Sequence, residues 1–307
     1  MIEFFTEPMG YEFFRNGLLA ATLVGALCGL MGVYIVLRRM SYIGHGLSHS
    51  VFGGAVVSYI INVNFYLGAG AWGFVSAILI NAVARRKKIG ADAAIGIITT
   101  ASFALGVALI SKRRTFTRNF EAALFGNILG VDRQDIVVIS CVTAVVAAGI
   151  FFAYKQLLFV TFDSELAQVY GVPVVWIDAG FSLALAATVV ASLNVVGVTL
   201  IAASIVVPPV TARLLTDSFG KMLILSTLIG MSGGIFGMFV SYEWDIASGA
   251  AIVLFLTAVF LVVYTGTTIR TLVRDRAPST ARETATSHPL PAPTMRPAHS
   301  HSDDHLV

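Results

Sequence analysis

Two histidines, His45 and His49, stand four positions apart in the stretch "MSYIGHGLSHS", with Ser48 between them. On a helix this spacing puts both imidazoles on one face, about 6 Å apart along the axis. Two ring nitrogens so placed can reach one cation, and imidazole suits Zn, Cu, Fe and Ni. They can also hydrogen-bond across a helix interface, or sit at a surface. The flanking runs are strongly apolar, and an ionisable group inside a membrane segment usually faces a pathway or a partner. The pair therefore reads first as a transient transition-metal site.

Two further stretches carry polar chemistry. In "SIVVPPVTARLL", Pro208 and Pro209 lack N–H groups, so the carbonyls of Ser204 and Ile205 lose their usual helical donors. A helix broken there is tolerated in a membrane only where protein or a water-filled cavity covers the freed groups, and such breaks often line transport sites. In "SYEWDIASG", Glu243 and Asp245 are among the few acids outside the two ends of the chain. They can receive a cation at a loop, or serve as ordinary solvated residues.

The elements that must position these residues are apolar helices. Of 307 residues, 57% are apolar and 12% charged, against roughly 25% charged in a soluble domain. The charges cluster, as in Arg38-Arg39 and Arg85–Lys88, between long uncharged runs. This predicts an all-α, polytopic integral membrane bundle of about eight or nine spans; the runs lack the alternation of barrel strands. Nine candidate spans are predicted at 17–37, 41–61, 65–84, 93–111, 135–154, 174–192, 194–213, 221–241 and 248–268. Residues 62–64 make the second and third a tight hairpin.

Basic residues at the ends of spans read as topology signals, not as a nucleic-acid footprint. They place the N-terminus outside and the C-terminus in the cytoplasm. The exception is 112–134, external yet basic, whose "EAALFGNILG" suggests a re-entrant or surface helix that could change the count by one. In this topology His45 and His49 lie about 6–12 Å from the inner end of their span, and Pro208 about 7 Å from the inner end of its own. The shared depth favours one site.

Residues 155–173, "KQLLFVTFDSELAQVYGVP", form an internal loop with a short helix signal. Asp163 is the predicted N-cap, Gly171 the C-cap, and Pro173 lies beyond. Such an element either docks a partner or merely connects. Glycines at 25, 29 and 32, and at 230, 233, 234 and 237, permit close helix packing within the bundle or a dimer. Cys28 and Cys141 lie in apolar runs and read as free thiols. A cleavable signal peptide is not expected. The permease domain is taken as 1–275. Residues 276–307 hold five of the nine prolines and read as a disordered cytoplasmic tail. Its His299, His301 and His305, with Asp303 and Asp304, could bind metal loosely. A GxxxxGK[ST] phosphate loop and an HExxH motif are absent, so any ATPase chemistry belongs to another chain.

Taken together, "VLRRMSYIGHGLSHSVFGG", "ADAAIGIITTASFALGVALIS", "LFGNILGV", "FDSELAQVYGVP", "VGVTLIAASIVVPPVTARLLT" and "GMFVSYEWDIASGAAIVL" resemble, in order, the permeases of ABC importers for manganese, zinc or iron. The resemblance covers nearly all of 12–268. It implies a non-enzymatic transport subunit with an ABC importer permease fold. It also implies a second permease copy, cytoplasmic ATP-binding subunits and an extracytoplasmic metal-binding protein. Asp163, Glu165 and Leu166 would belong to the ATPase-docking helix. No resident cofactor is implied; Zn2+ or Mn2+ is cargo. Many relatives carry aspartate where this chain has His45, with a histidine matching His49. A His/His pair tilts the preference towards zinc. Two other readings stand beside this one. An ion-coupled carrier would use the pair as a proton relay. A membrane metalloenzyme would need a general base that the spans hardly offer.

Overall fold

In the computed structural model, residues 2–84, 90–113, 124–126 and 128–276 are described. Among them there are helices and turns but no strand. In chain order the helices are α1 (Ile2–Met9), α2 (Glu12–Leu37), α3 (Ser41–Ile60), α4 (Phe65–Ala84), α5 (Ala91–Arg113), α6 (Arg133–Phe152), α7 (Tyr154–Phe162), α8 (Ser164–Val169), α9 (Val174–Val196), α10 (Ile201–Leu215), α11 (Phe219–Trp244) and α12 (Ser248–Arg276). A single 3-10 turn, Ile128–Gly130, precedes α6. Residues 1–267 form one unit; of the second, 268–307, only the end of α12 is described. Arg85–Lys88, residues 114–123 and 127 of the basic 112–134 segment, and the tail with His299, His301 and His305 lie outside the described residues.

Among the described residues, seven helices are long and apolar enough to cross a membrane: α2, α4, α5, α6, α9, α11 and α12. α3 has 20 residues but carries His45, His49 and several serines and glycines, and is not among them. It does not need to be. Ile43, Leu47, Ser48, Val51 and Phe52 are buried, and α3 packs on α4, α5, α9 and α10. Protein, not lipid, is its solvent. α10 has 15 residues, about 22 Å of helix, and is too short to cross alone.

The helix ends sort into two faces. On one, Arg133 meets Glu12 at 3.3 Å, and Tyr66 and Asp135 share a hydrogen bond that Asn194 joins at 3.0 Å from the tyrosine oxygen. Asp135 also completes a capping box with Asp132 at the start of α6. On the other, Arg38 at the end of α2 meets Asp178 of α9 and Thr161 of α7. This is the alternation that antiparallel crossings require.

The glycine stripes face each other within the chain. A Cβ on Gly25 would collide with the carbonyl of Gly230, and one on Gly234 with that of Ala21. Ser226 Oγ donates to Gly29 O at 2.6 Å. α2 and α11 thus meet backbone to backbone, which only small residues allow. The same glycines are therefore taken up inside the chain; a dimer interface, the other use considered for them, needs a different surface.

Candidate metal site

α3 starts immediately after a tight elbow. Arg39 takes a left-handed conformation, φ 56°, and Met40 N–H donates back to Ile35 O at 3.0 Å. The helix then carries His45 and His49 on one face, as their spacing predicts. Their Nε2 atoms lie 3.3 Å apart. Two metal–nitrogen bonds of about 2.0–2.1 Å opening at a tetrahedral angle put the nitrogens about 3.3–3.4 Å apart, so one cation can bind both rings with little rearrangement. Without a cation, the same approach is a hydrogen bond between neutral rings. Both histidines are half-buried. Phe103 of α5 stacks edge-on against His49, with centroids 4.8 Å apart, and Tyr42 lies 5.7 Å from His45. Phe103 is in reach because Gly53 of α3 packs against the Ser102 backbone and Gly106. His49 Nδ1 is buried without a hydrogen-bond partner.

Among the described residues no group of three or more His, Cys, Asp or Glu could hold an ion. The pair offers two imidazole ligands, and any ion bound there would complete its shell with water or backbone oxygens.

A discontinuous segment lies beside the pair, but not where the prolines suggest. α10 runs through Pro208 and Pro209 without interruption. The freed Ile205 carbonyl lies against Gly32 of α2, and the Pro209 ring packs on the same glycine. Ser204 is buried, with its hydroxyl donating to Leu200 O at 3.3 Å. The expected break at these residues is therefore corrected: the helix stays whole because Gly32 leaves room for its bare carbonyl. The interruption comes earlier, at Gly197 to Leu200, where Gly197 adopts φ 83°. The predicted seventh span, 194–213, shifts accordingly; Asn194 belongs to α9. The turn is buried, with Val196, Val198 and Ile201 sealed from solvent. Thr199 donates through N–H and Oγ to Leu124 O at 3.3 and 2.7 Å, so the 124–126 strip folds in over it. The residues that precede this strip, on which the expectation of a re-entrant or surface helix also falls, lie outside the described residues.

Ser48 joins the two halves of the arrangement. Its hydroxyl lies 2.9 Å from Val198 O and 2.7 Å from His45 O. The histidine helix is thus tied to the buried turn, and lower down Gly44 faces the Ile205 side chain of α10. Neither link was legible in the sequence.

Asp245 and Glu243 lie at the far end of α11 and are exposed. Asp245 closes the helix in the left-handed conformation, φ 49°. It lines a cavity of about 440 Å³ with Phe13, Phe14, Met238 and Tyr242. This end belongs to the face opposite the elbow that starts α3, so these acids are not brought to the histidines.

α8 is built as predicted. Asp163 accepts from Leu166 N–H at 2.8 Å, and Gly171 turns the chain at φ 79°. Glu165 and Leu166 face solvent, beside Val169 and Tyr170, which are 81% and 74% exposed. α7, ahead of it, is an additional helix where a plain loop was expected. It follows α6 with no Gly, Pro or Asn between them, so no turn signal marks the boundary.

The profile of the ABC 3 transport family matches residues 10–266. The chain is 38% identical over 261 residues to the manganese transport system membrane protein MntC of Halalkalibacterium halodurans, covering 85% of this chain and 89% of that one. It is 32% identical over 270 residues to a Haemophilus influenzae protein whose name assigns it to an iron transport system, covering 88% and 99%. Among solved structures it is similar to PsaBC from Streptococcus pneumoniae in complex with Fab, with TM-score 0.78, 34% identity and coverage of 86% and 95%.

Proposed function

Because this chain belongs to the ABC 3 transport family, we propose that it is the permease subunit of an ATP-driven importer of a divalent transition metal, set in a bacterial plasma membrane. The observation that carries the proposal is the His45–His49 pair, with nitrogens 3.3 Å apart on a helix sheathed by protein. The pair is a stepping point for the ion, with imidazoles as direct ligands. Ser48 and the Val198 turn hold the helix that presents them.

The remaining assignments follow from position. Asp245, with Glu243 beside it, forms the outer acidic contact, where an extracytoplasmic binding protein delivers the ion. Asp163 caps α8, and Glu165 and Leu166 present it to a cytoplasmic ATP-binding subunit, which supplies the hydrolysis. A second copy of the permease completes the pathway. The N-terminus is outside and the C-terminus cytoplasmic, in keeping with the basic residues at the elbow face. An ion-coupled carrier is not favoured, since ABC family membership brings an ATPase with it. Uptake that survives loss of the ATPase and collapses with the proton gradient would reinstate the carrier.

The cargo is a first-row divalent ion. The relatives are named for manganese and iron, whereas the paired imidazoles favour zinc on ligand chemistry. His45→Asp separates these. With one carboxylate in place of an imidazole, manganese uptake should rise relative to zinc by roughly threefold to tenfold, read with both radioisotopes in one assay. An unchanged ratio would move selectivity to the binding protein.

A further inference from the structure

Arg38 ends α2 at the elbow that leads into α3. Its side chain is only 11% exposed. Nη1 donates to Asp178 Oδ1 at 2.9 Å, Nε donates to Thr161 Oγ1 at 3.1 Å, and the guanidinium lies 4.4 Å above the centre of the Phe181 ring. Three elements therefore meet on one group: α7, two residues before the α8 cap Asp163; α9, in its second turn; and the α2–α3 elbow. Beyond Arg38 the chain has no slack. Arg39 is left-handed, Met40 N–H returns to Ile35 O, and Ile43 N–H donates to Met40 O at 2.9 Å. A displacement of Arg38 must reach the first turns of α3, and His45 is in the second.

A buried ion pair is a poor anchor, because well-packed apolar groups hold helices together as well or better. The cluster is also incomplete. Arg38 Nη2 and the hydroxyl of Tyr34, one turn back on the same face of α2, are buried with no partner. Unmet donors at this depth are costly, and they give the cluster a reason to adopt a second arrangement. An element with two arrangements, touched from both sides, is what coupling between distant sites requires.

We propose that Arg38 is a positioning residue that transmits movement of the α7–α8 segment to the histidine helix, through Thr161 and Asp178. The proposal rests on the importer reading above. The fork is essential, since lysine cannot serve Thr161, Asp178 and Phe181 together.

The test uses the full chain with its ATP-binding and metal-binding partners, following Mn2+ and Zn2+ uptake and ATP hydrolysis in the same preparation. In Arg38→Met and Arg38→Lys, ions moved per ATP should fall about tenfold, while the ATPase still co-purifies and still hydrolyses. Arg38→Asp combined with Asp178→Arg should recover part of the ratio. Uptake and hydrolysis falling in proportion would overturn the proposal, as would an unchanged ratio. If Arg38→Met fails to insert, Thr161→Val and Asp178→Asn carry the test, since each leaves the guanidinium in place; a wild-type ratio in both overturns it. Failure of the unmodified complex to move either metal with ATP would instead refute the importer reading.

Discussion

Alanine at both His45 and His49 should lower metal uptake by about a hundredfold or more, with membrane insertion and ATPase binding intact. The two rings are the only histidines in the described residues, and no group of three or more His, Cys, Asp or Glu that could hold an ion exists among those residues. Removing both leaves no imidazole among the described residues for an ion to bind. Folding should tolerate the change, because each ring is only half-buried and the helix is held by Ser48, Leu47 and Phe52. The two single variants should differ. His49 packs on Phe103, so its loss also opens a gap against α5, and the His49→Ala chain should be the less stable of the two. Radioactive metal uptake in cells, beside co-purification of the ATPase, makes the measurement. Ordinary uptake in the double variant would discard the site.

The second large effect is on folding. Gly230→Leu should prevent α2 and α11 from docking. A side chain there meets the Gly25 backbone, and a backbone cannot rotate away as a side chain can. Overpacking a yielding core costs about 1–3 kcal/mol, occasionally more; this contact belongs at the upper end or beyond. Thermal unfolding in detergent is the readout, with Gly180→Ala as the comparison, since a Cβ at Gly180 meets open space. Equal midpoints for the two variants would mean that the helices are not in the contact described.

Much of this was readable in the residues, and the reasons differ by element. The hairpin at residues 61–64 and the α8 cap were legible because their signals are local. Asp163 hydrogen-bonds three residues on, and Gly171 supplies its own positive φ. The pairing of His45 with His49 was legible because helical spacing alone brings them together. The interruption near the site was anticipated but assigned to Pro208 and Pro209, which announce themselves in sequence. The real turn at Gly197 is set by Leu124 and Gly126, some seventy residues earlier, which crowd the α9 terminus. Tyr66, Asp135 and Asn194 met for the same kind of reason: each is an unremarked polar residue near the end of a span until the fold gathers them. Asp178 is different. It is the sole acid in α9, and its presence in an apolar run was a signal of a buried cation partner that composition alone could have raised.

α3 has one more implication, and it concerns how the protein is made. A segment rich in glycine, serine and histidine has little of its own to hold it among acyl chains, so leaving the translocation channel alone would be unfavourable. α4, joined to it by a few residues, is apolar enough to enter by itself, and Trp72 and Gly68 of α4 lie directly on Gly54 of α3. The two helices are therefore suited to partition into the bilayer as a prepacked pair, with the greasier one sheltering the more polar one. Biogenesis then imposes its own constraint on this chain: the polarity of α3 can rise only as far as its neighbours can shelter it on the way in.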